Sequence, residues 1–335
     1  MIRAPRFWSA PPDRPGLLAR LLSPLGALYA SATARRVARA PDWTAPVPVI
    51  CIGNLTAGGA GKTPVAIAVL EVLSAMGVDA HVVTRGHGGT AGKGPVPHRV
   101  DFSDDPALTG DEPQLLASFA PVWVSADRAS GARAAVAAGA GAIVLDDGYQ
   151  NPGLAKDLSI LVVDAVEGFG NGRAIPAGPL REGVVAGLVR ADAVALLGAA
   201  PAQERTLARW PRLLTRPILR GAIVPRAIGI QWAGAKVVAF AGIARPEKFF
   251  DTLRGLGVDL VAAHSFPDHA SFAPRALRRL SAEADAANAM LVTTEKDAVR
   301  LPPAFRGRAM PLPVHVAWDD AGALAALLAP LFAKG

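Results

Sequence analysis

Eleven residues, Asn54-Leu-Thr-Ala-Gly-Gly-Ala-Gly-Lys-Thr-Pro64, restrict the possible fold of this chain more than any other stretch. Ahead of them runs Val47-Pro-Val-Ile-Cys-Ile-Gly53, short, apolar and β-branched, the pattern of a buried parallel strand. Behind them Val65 to Met76 carries a helix pattern that Gly77 closes. A strand, a glycine loop, Gly-Lys-Thr and a helix in that order make a phosphate-binding loop. Thr56, Ala57, Gly58, Gly59, Ala60 and Gly61 are small enough for backbone N–H groups to approach phosphate oxygens, and the helix N-terminus adds about half a positive charge. Lys62 is expected to reach the β- and γ-phosphates, and the Thr63 hydroxyl to sit on Mg²⁺. Thr56 is a departure, because the usual G-x-x-x-x-G-K-[ST] spacing has glycine there. The loop reads as a nucleoside triphosphate site.

The remaining chain alternates strand and helix patterns, which predicts an α/β fold of two α/β/α domains with mainly parallel sheets. At 335 residues, two domains are expected. The boundaries read as an arm over 1–40, a P-loop domain over 41–215, a two-stranded linker over 216–235 and a smaller α/β domain over 236–335. The linker rests on two apolar runs, 218–224 and 227–232, separated by Pro225-Arg226. The single cysteine, Cys51, excludes an internal disulfide and suits a reducing compartment.

The net charge of +7 is concentrated at one end. Arg3, Arg6, Arg14, Arg20, Arg35, Arg36 and Arg39 face only Asp13 within the first forty residues. Such confinement argues against a nucleic-acid binder, whose charge would spread across a folded face. Between these arginines lies a leucine-rich run from Gly16 to Tyr29, interrupted by Arg20 and Pro24 and too short to span a bilayer. Ala30-Ser31-Ala32 has the look of a signal-peptide cleavage site, but Asp13, three early prolines and the charge inside the run oppose it. A basic, leucine-rich helix of this kind docks on anionic membrane surfaces, or else packs on its own domain.

Four further places carry candidate chemistry. Asp111 and Glu112 follow Gly110 where a turn opens a helix, read as running from about 114 to 119; they are either dipole-stabilising charges or a base or metal ligand facing phosphate. Ala142-Ile-Val-Leu-Asp146-Asp147 is an apolar strand ending in carboxylates, which downstream of a P-loop points to Mg²⁺. The irregular stretch 171–182 includes Arg173 and Arg181, either a phosphate clamp or merely solvated. Asp268-His269 lies in a loop after a strand, where α/β sites are built. The other histidines show no zinc spacing.

Together these stretches resemble the tetraacyldisaccharide 4′-kinase family, the lipid A 4′-kinases of Gram-negative bacteria. The resemblance rests on 47–64, Gly110-Asp-Glu-Pro113, Asp146-Asp-Gly-Tyr-Gln150, Pro176-Ala-Gly-Pro-Leu-Arg-Glu182, Phe266-Pro-Asp-His269 and Thr294-Glu-Lys-Asp297, all in family order. It accounts for Thr56; Ala60 and Asn151 stand where the family often has Thr and His. The resemblance implies transfer of the ATP γ-phosphate to the 4′-hydroxyl of a tetraacylated glucosamine disaccharide 1-phosphate, giving lipid IV-A. It further implies Asp111 as general base partnered by His269, with Asp268 orienting the imidazole. Asp146, Asp147, Thr63 and Glu112 become candidates for the Mg²⁺ shell, while Asn171 and Arg181 would face the sugar or its phosphate. A peripheral position on the cytoplasmic face of the inner membrane follows, with no obligate protein partner evident. The alternative is a P-loop NTPase acting as a regulatory or metal-insertion switch.

Overall fold

The computed structural model describes residues 5–268 and 271–333. Thirteen strands form two sheets. In chain order they are β1 (Val49–Gly53), β2 (Ala80–Thr84), β3 (His98–Arg99), β4 (Val122–Val124), β5 (Ala142–Asp146), β6 (Leu158–Asp164) and β7 (Ala193–Leu197). There follow β8 (Ile218–Pro225), β9 (Lys236–Ala241), β10 (Asp259–Ser265), β11 (Met290–Thr294), β12 (Met310–Leu312) and β13 (Val314–Trp318). The large sheet has the order β13-β8-β7-β6-β1-β5-β2-β4-β3, parallel except at its two edges, β3 on β4 and β13 on β8. The small sheet, β10-β9-β11-β12, is parallel throughout. Mixed α/β architecture with mainly parallel sheets is therefore what the sequence pattern leads one to expect.

Strand β1 lies at the middle of the large sheet, with every residue buried. Its side chains alternate between two cores, as a pleat requires. Ile50 and Ile52 join the helix Lys62–Ala75 on one face, while Val49 and Cys51 join Ala132, Ala135 and Leu188 on the other. β5 pairs on one side of β1 and β6 on the other, although both come later in the chain. The carboxyl end of β1 is thus a topological switch point, the place where open α/β sheets bind ligands.

The link between the sheets differs from the expected pair of neighbouring strands. β8 is a strand of the large sheet, parallel to β7, and residues 226–235 form no strand. Ile230 and Trp232 instead pack into the core of the small sheet, which explains their apolar pattern. The antiparallel partner of β8 is β13, with Val316 opposite Ile223. After β13 the helix Ala323–Leu328 places Leu324 and Leu328 against the helix that follows the glycine loop. Residues 314–332 accordingly belong with the large sheet rather than with 236–312.

The arm forms a 21-residue helix, Leu17–Val37, with Pro24 inside it. Its buried residues are Ala19, Gly26 and Thr33, one every seven positions, so a single stripe of small side chains faces the protein. A Cβ on Gly26 would lie 2.7 Å from the Ala174 carbonyl oxygen, which shows how closely the helix backbone approaches that loop. Leu17, Leu18, Leu21, Leu25 and Leu28 are all exposed.

Candidate active site

The glycine loop leaves the carboxyl end of β1 and turns into the helix Lys62–Ala75. Thr56 has no positive φ; its extended backbone bridges Leu180, and Ala57 N–H donates to the Pro179 carbonyl at 2.7 Å. A side chain costs nothing there, which is why glycine is dispensable at that position. Cβ atoms added to Gly58 and Gly59 would meet only open space, so these two residues line an unfilled backbone cradle. Lys62 Nζ donates to Asn54 Oδ1 at 3.3 Å and lies 3.7 Å from Asp147. Asn54, fully buried, also donates to Thr56 Oγ1 and to the Gly58 carbonyl, bracing the loop from inside.

Strand β5 runs beside β1, with Asp146 in register with Ile52. Asp146 is 1 % exposed, and neither carboxylate oxygen has a hydrogen-bond partner. Burial, with the nearby charges of Glu112 and Asp147, pushes its carboxyl up to about 7. Two orphaned oxygens on a buried carboxylate within reach of the Lys62 charge are what a small, hard cation would satisfy. Among the described residues no group of three or more His, Cys, Asp or Glu could hold a metal without help. Mg²⁺ needs no such cage, since it is usually bound through one or two carboxylates plus substrate phosphates and water. The residues present fit Mg²⁺.

Asp147 behaves differently although it is the next residue. It sits at φ +53°, which short Asp side chains tolerate. Arg181 Nη1 donates to both its oxygens, at 2.8 and 3.1 Å. Burial opposes its ionisation, but Lys62 and Arg181 outweigh it and hold the carboxyl below the usual range. Gln150 then ties this turn to its surroundings, donating to the Asn54 carbonyl and to buried Glu182 at 2.9 Å each. The Asp-Asp-Gly-Tyr-Gln and Pro-Ala-Gly-Pro-Leu-Arg-Glu stretches are therefore one scaffold around the lysine.

Asp111 and Glu112 open the helix Asp111–Leu116, three residues earlier than the sequence pattern implied. Pro113 lies in the first turn, where a missing N–H costs no hydrogen bond. Gly110 precedes them at φ +95°, and a Cβ there would come within 2.6 Å of the His87 carbonyl. Asp111 is buried, and its Oδ2 lies 3.4 Å from Arg300 Nε. Glu112 pairs with Lys296 at 3.1 Å. Both partners follow β11, and the loop after β9 adds Arg245, which contacts Asp164 at 2.8 Å and the Gly59 carbonyl at 3.2 Å. Lys248 and Arg245 overcome the burial of Asp164 and keep its carboxyl below the usual range. The carboxyl edges of the two sheets thus face one another across the cradle.

Not every expected site residue arrives there. Asn171 is turned into the protein: its Nδ2 donates to the Phe7 and Ala177 carbonyls, and its Oδ1 accepts from Arg173 N–H. With its hydrogen bonds spent on backbone, Asn171 fastens residues 5–9 to the loop instead of facing a substrate. Arg173 donates to Ser23 Oγ of the arm helix. His269 lies outside the described residues. Asp268 ends the loop after β10 and is not without interactions.

Sequence reasoning passed over Arg128, Arg245 and Arg300, and met Lys296 only as part of the Thr294-Glu-Lys-Asp297 stretch. Arg128 is buried, donates to the Ser125 and Ala126 carbonyls, and is close enough to Asp146 and Asp147 to feel their charge. The only available signal was position, since each follows the end of a strand that proves to be parallel.

Comparison with known proteins agrees with this geometry. The family described as "Tetraacyldisaccharide-1-P 4′-kinase" matches residues 18–332. The "Tetraacyldisaccharide 4′-kinase" of Dinoroseobacter shibae is 57 % identical over 335 residues, covering 99 % of this chain and 98 % of that protein. That of Rhodospirillum centenum is 54 % identical over 334 residues, covering 98 % and 97 %. Among solved structures, the "apo" form of LpxK from Aquifex aeolicus in complex with ATP superposes with a TM-score of 0.74 at 24 % identity, covering 94 % of this chain and all of that one. At that identity the structural likeness speaks for the fold.

Proposed function

Because the chain belongs to the tetraacyldisaccharide 4′-kinase family and is an ATP-dependent lipid A 4′-kinase, we propose how its own residues carry out the transfer. One observation carries the reading: an open glycine cradle, Lys62, a partnerless buried carboxylate and Asp111 all lie along one pair of facing sheet edges. Residues 56–61 receive the triphosphate through backbone N–H groups, and Lys62 neutralises the β- and γ-phosphates. Thr63 and Asp146 would hold Mg²⁺, with Glu112 a further candidate for its shell. When bound, Mg²⁺ neutralises charge on the phosphates. Asp147 stays paired to Arg181 and fixes Lys62, which divides the labour between two adjacent aspartates. Asp111 accepts the proton of the sugar 4′-hydroxyl as its oxygen bonds to phosphorus and the bond to the departing ADP breaks. His269 and Asp268 are assigned to support Asp111, on the family resemblance alone.

The arm helix brings the enzyme to its acylated substrate on the cytoplasmic face of the inner membrane. Gly26, in the middle of its small-residue stripe, packs on Ala174 and Ala177, leaving the leucines outward. By length and composition the helix could cross a bilayer. Arg20 within it and the contact along its length favour lying in the interface, where basic, leucine-rich helices partition. The regulatory-switch alternative gains nothing from relatives that match over nearly the whole chain.

The test is transfer of label from γ-labelled ATP to a tetraacyldisaccharide 1-phosphate in the presence of Mg²⁺. Asp111→Ala should lower kcat by at least about 10²-fold, the low end for a positioned base, while ATP still binds. Near-normal turnover in that variant would remove Asp111 from the mechanism.

A further inference from the structure

We propose that Arg300 is a positioning residue for Asp111, delivered across the cleft by the small sheet; this rests on the reading of Asp111 as the base. Arg300 is a surface residue type, yet its side chain is only 5 % exposed. Burying a guanidinium is costly unless its charge is compensated, and here the small sheet supplies the counter-charge. Asp297, fully buried, pairs with it directly. Its Nη2 donates to the Gly242 carbonyl at 2.8 Å, and the guanidinium lies 5.3 Å from the centre of the Phe272 ring.

Asp297 is in turn fixed from several sides. Gly242 N–H donates to both its oxygens, at 3.1 and 3.0 Å, and Thr294 Oγ1 donates to Oδ2 at 2.7 Å. Thr294 also caps the short helix Glu295–Ala298 by accepting from Asp297 N–H. These supports all come from residues 242–297, on the small-sheet side. The Thr-Glu-Lys-Asp stretch is thereby a built mount for the arginine.

Asp111 comes from the other side of the cleft. Its Oδ2 stands 3.4 Å from Arg300 Nε, while Lys296, four residues earlier on the same turn, takes Glu112. The two cations thus meet two successive carboxylates from across the cleft. A base must be held within a fraction of an ångström of its productive position, and a displacement of about 1 Å can cost 10²-fold in rate. Arg300, held by Asp297, Gly242 and Phe272 on the small-sheet side, ties the carboxylate of Asp111 to that sheet. The small sheet therefore contributes to the reaction even where it supplies no reacting atom.

The experiment uses the full chain and single-turnover label transfer, with kcat and KM measured for ATP and the lipid acceptor. Arg300→Met should lower kcat by about 10- to 100-fold with KM for ATP within about twofold, and Arg300→Lys should recover part of the loss. In an Asp111→Ala background, Arg300→Met should cause no further loss. Because Arg300→Met leaves Asp297 buried and unpaired, the same comparison is run with Arg300→Met/Asp297→Asn, which removes both charges. An equal loss with and without Asp111, or an unchanged kcat in both Arg300 variants, overturns the proposal. Near-normal turnover of Asp111→Ala alone would instead remove the base reading on which it stands.

Discussion

Asp146 offers a quantitative check on the metal site through stability. Its carboxyl is carried from the ordinary carboxylate range to about 7 by burial and by Glu112 and Asp147. The unfolded chain titrates this group near 4. Between those values the native state keeps a proton that the unfolded state has released, so stability falls as pH rises through the window and levels off above it. Over two to three pH units the loss amounts to ~3 kcal/mol. Asp146→Asn removes the titration, although its amide needs partners of its own at a cost of ~1–3 kcal/mol. The informative quantity is therefore the difference in slope between the two proteins, in which titrating groups remote from Asp146 cancel and only it and its coupled neighbours Glu112 and Asp147 remain. Urea denaturation in chelator at pH 5 to 8 should show the wild type losing ~3 kcal/mol more than the variant across the range. Mg²⁺ with ATP at pH 8 should stabilise the wild type, with most of that gain absent from Asp146→Asn. Parallel stability curves, together with equal Mg²⁺–ATP stabilisation, would refute both the burial argument and the placement of the metal.

Replacing Leu21, Leu25 and Leu28 by Glu should reduce sedimentation with anionic liposomes at least about tenfold, since three apolar side chains leave the interface. Undiminished sedimentation would place the membrane contact elsewhere. Gly53→Ala puts a methyl 2.4 Å from Tyr149 Cβ and should cost ~1–3 kcal/mol in urea denaturation; an unchanged midpoint would contradict the packing. Asn171→Ala strands the Phe7 and Ala177 carbonyls, so proteolysis ahead of residue 40 should accelerate. Unaltered proteolysis with a raised KM for the lipid would return Asn171 to the substrate.

The phosphate loop and the paired aspartates were legible in the sequence because their chemistry demands residue types in a fixed local order. Strand β1, Lys62 and Asp146 lie where such spacing implies. Asn171 misled because an amide in a long loop looks available, whereas its donors close that loop onto residues 5–9. The helix starts at Asp111 rather than near 114 because a first-turn proline, here Pro113, is compatible with helix. Arg300 gave no sign, since its role depends on a partner almost two hundred positions away and on burial that only the tertiary structure provides. The segment 227–232 alternates like a strand because Ile230 and Trp232 are buried, yet no neighbouring strand is there to pair with it.

The return of the chain to β13 makes the small sheet an insertion within the large one. Its two connections leave and re-enter side by side, with Arg226 N–H donating to the Pro313 carbonyl at 2.8 Å. A gene cut after residue 235 would thus yield a first fragment lacking an edge strand and the helix that covers Leu70 and Leu73. The natural seam is instead a doubled connection, through residues 226 and 313. Excision from 227 to 312 with a short turn in its place is the deletion that this topology tolerates, and it would leave a nucleotide-binding half without Arg300 to hold Asp111.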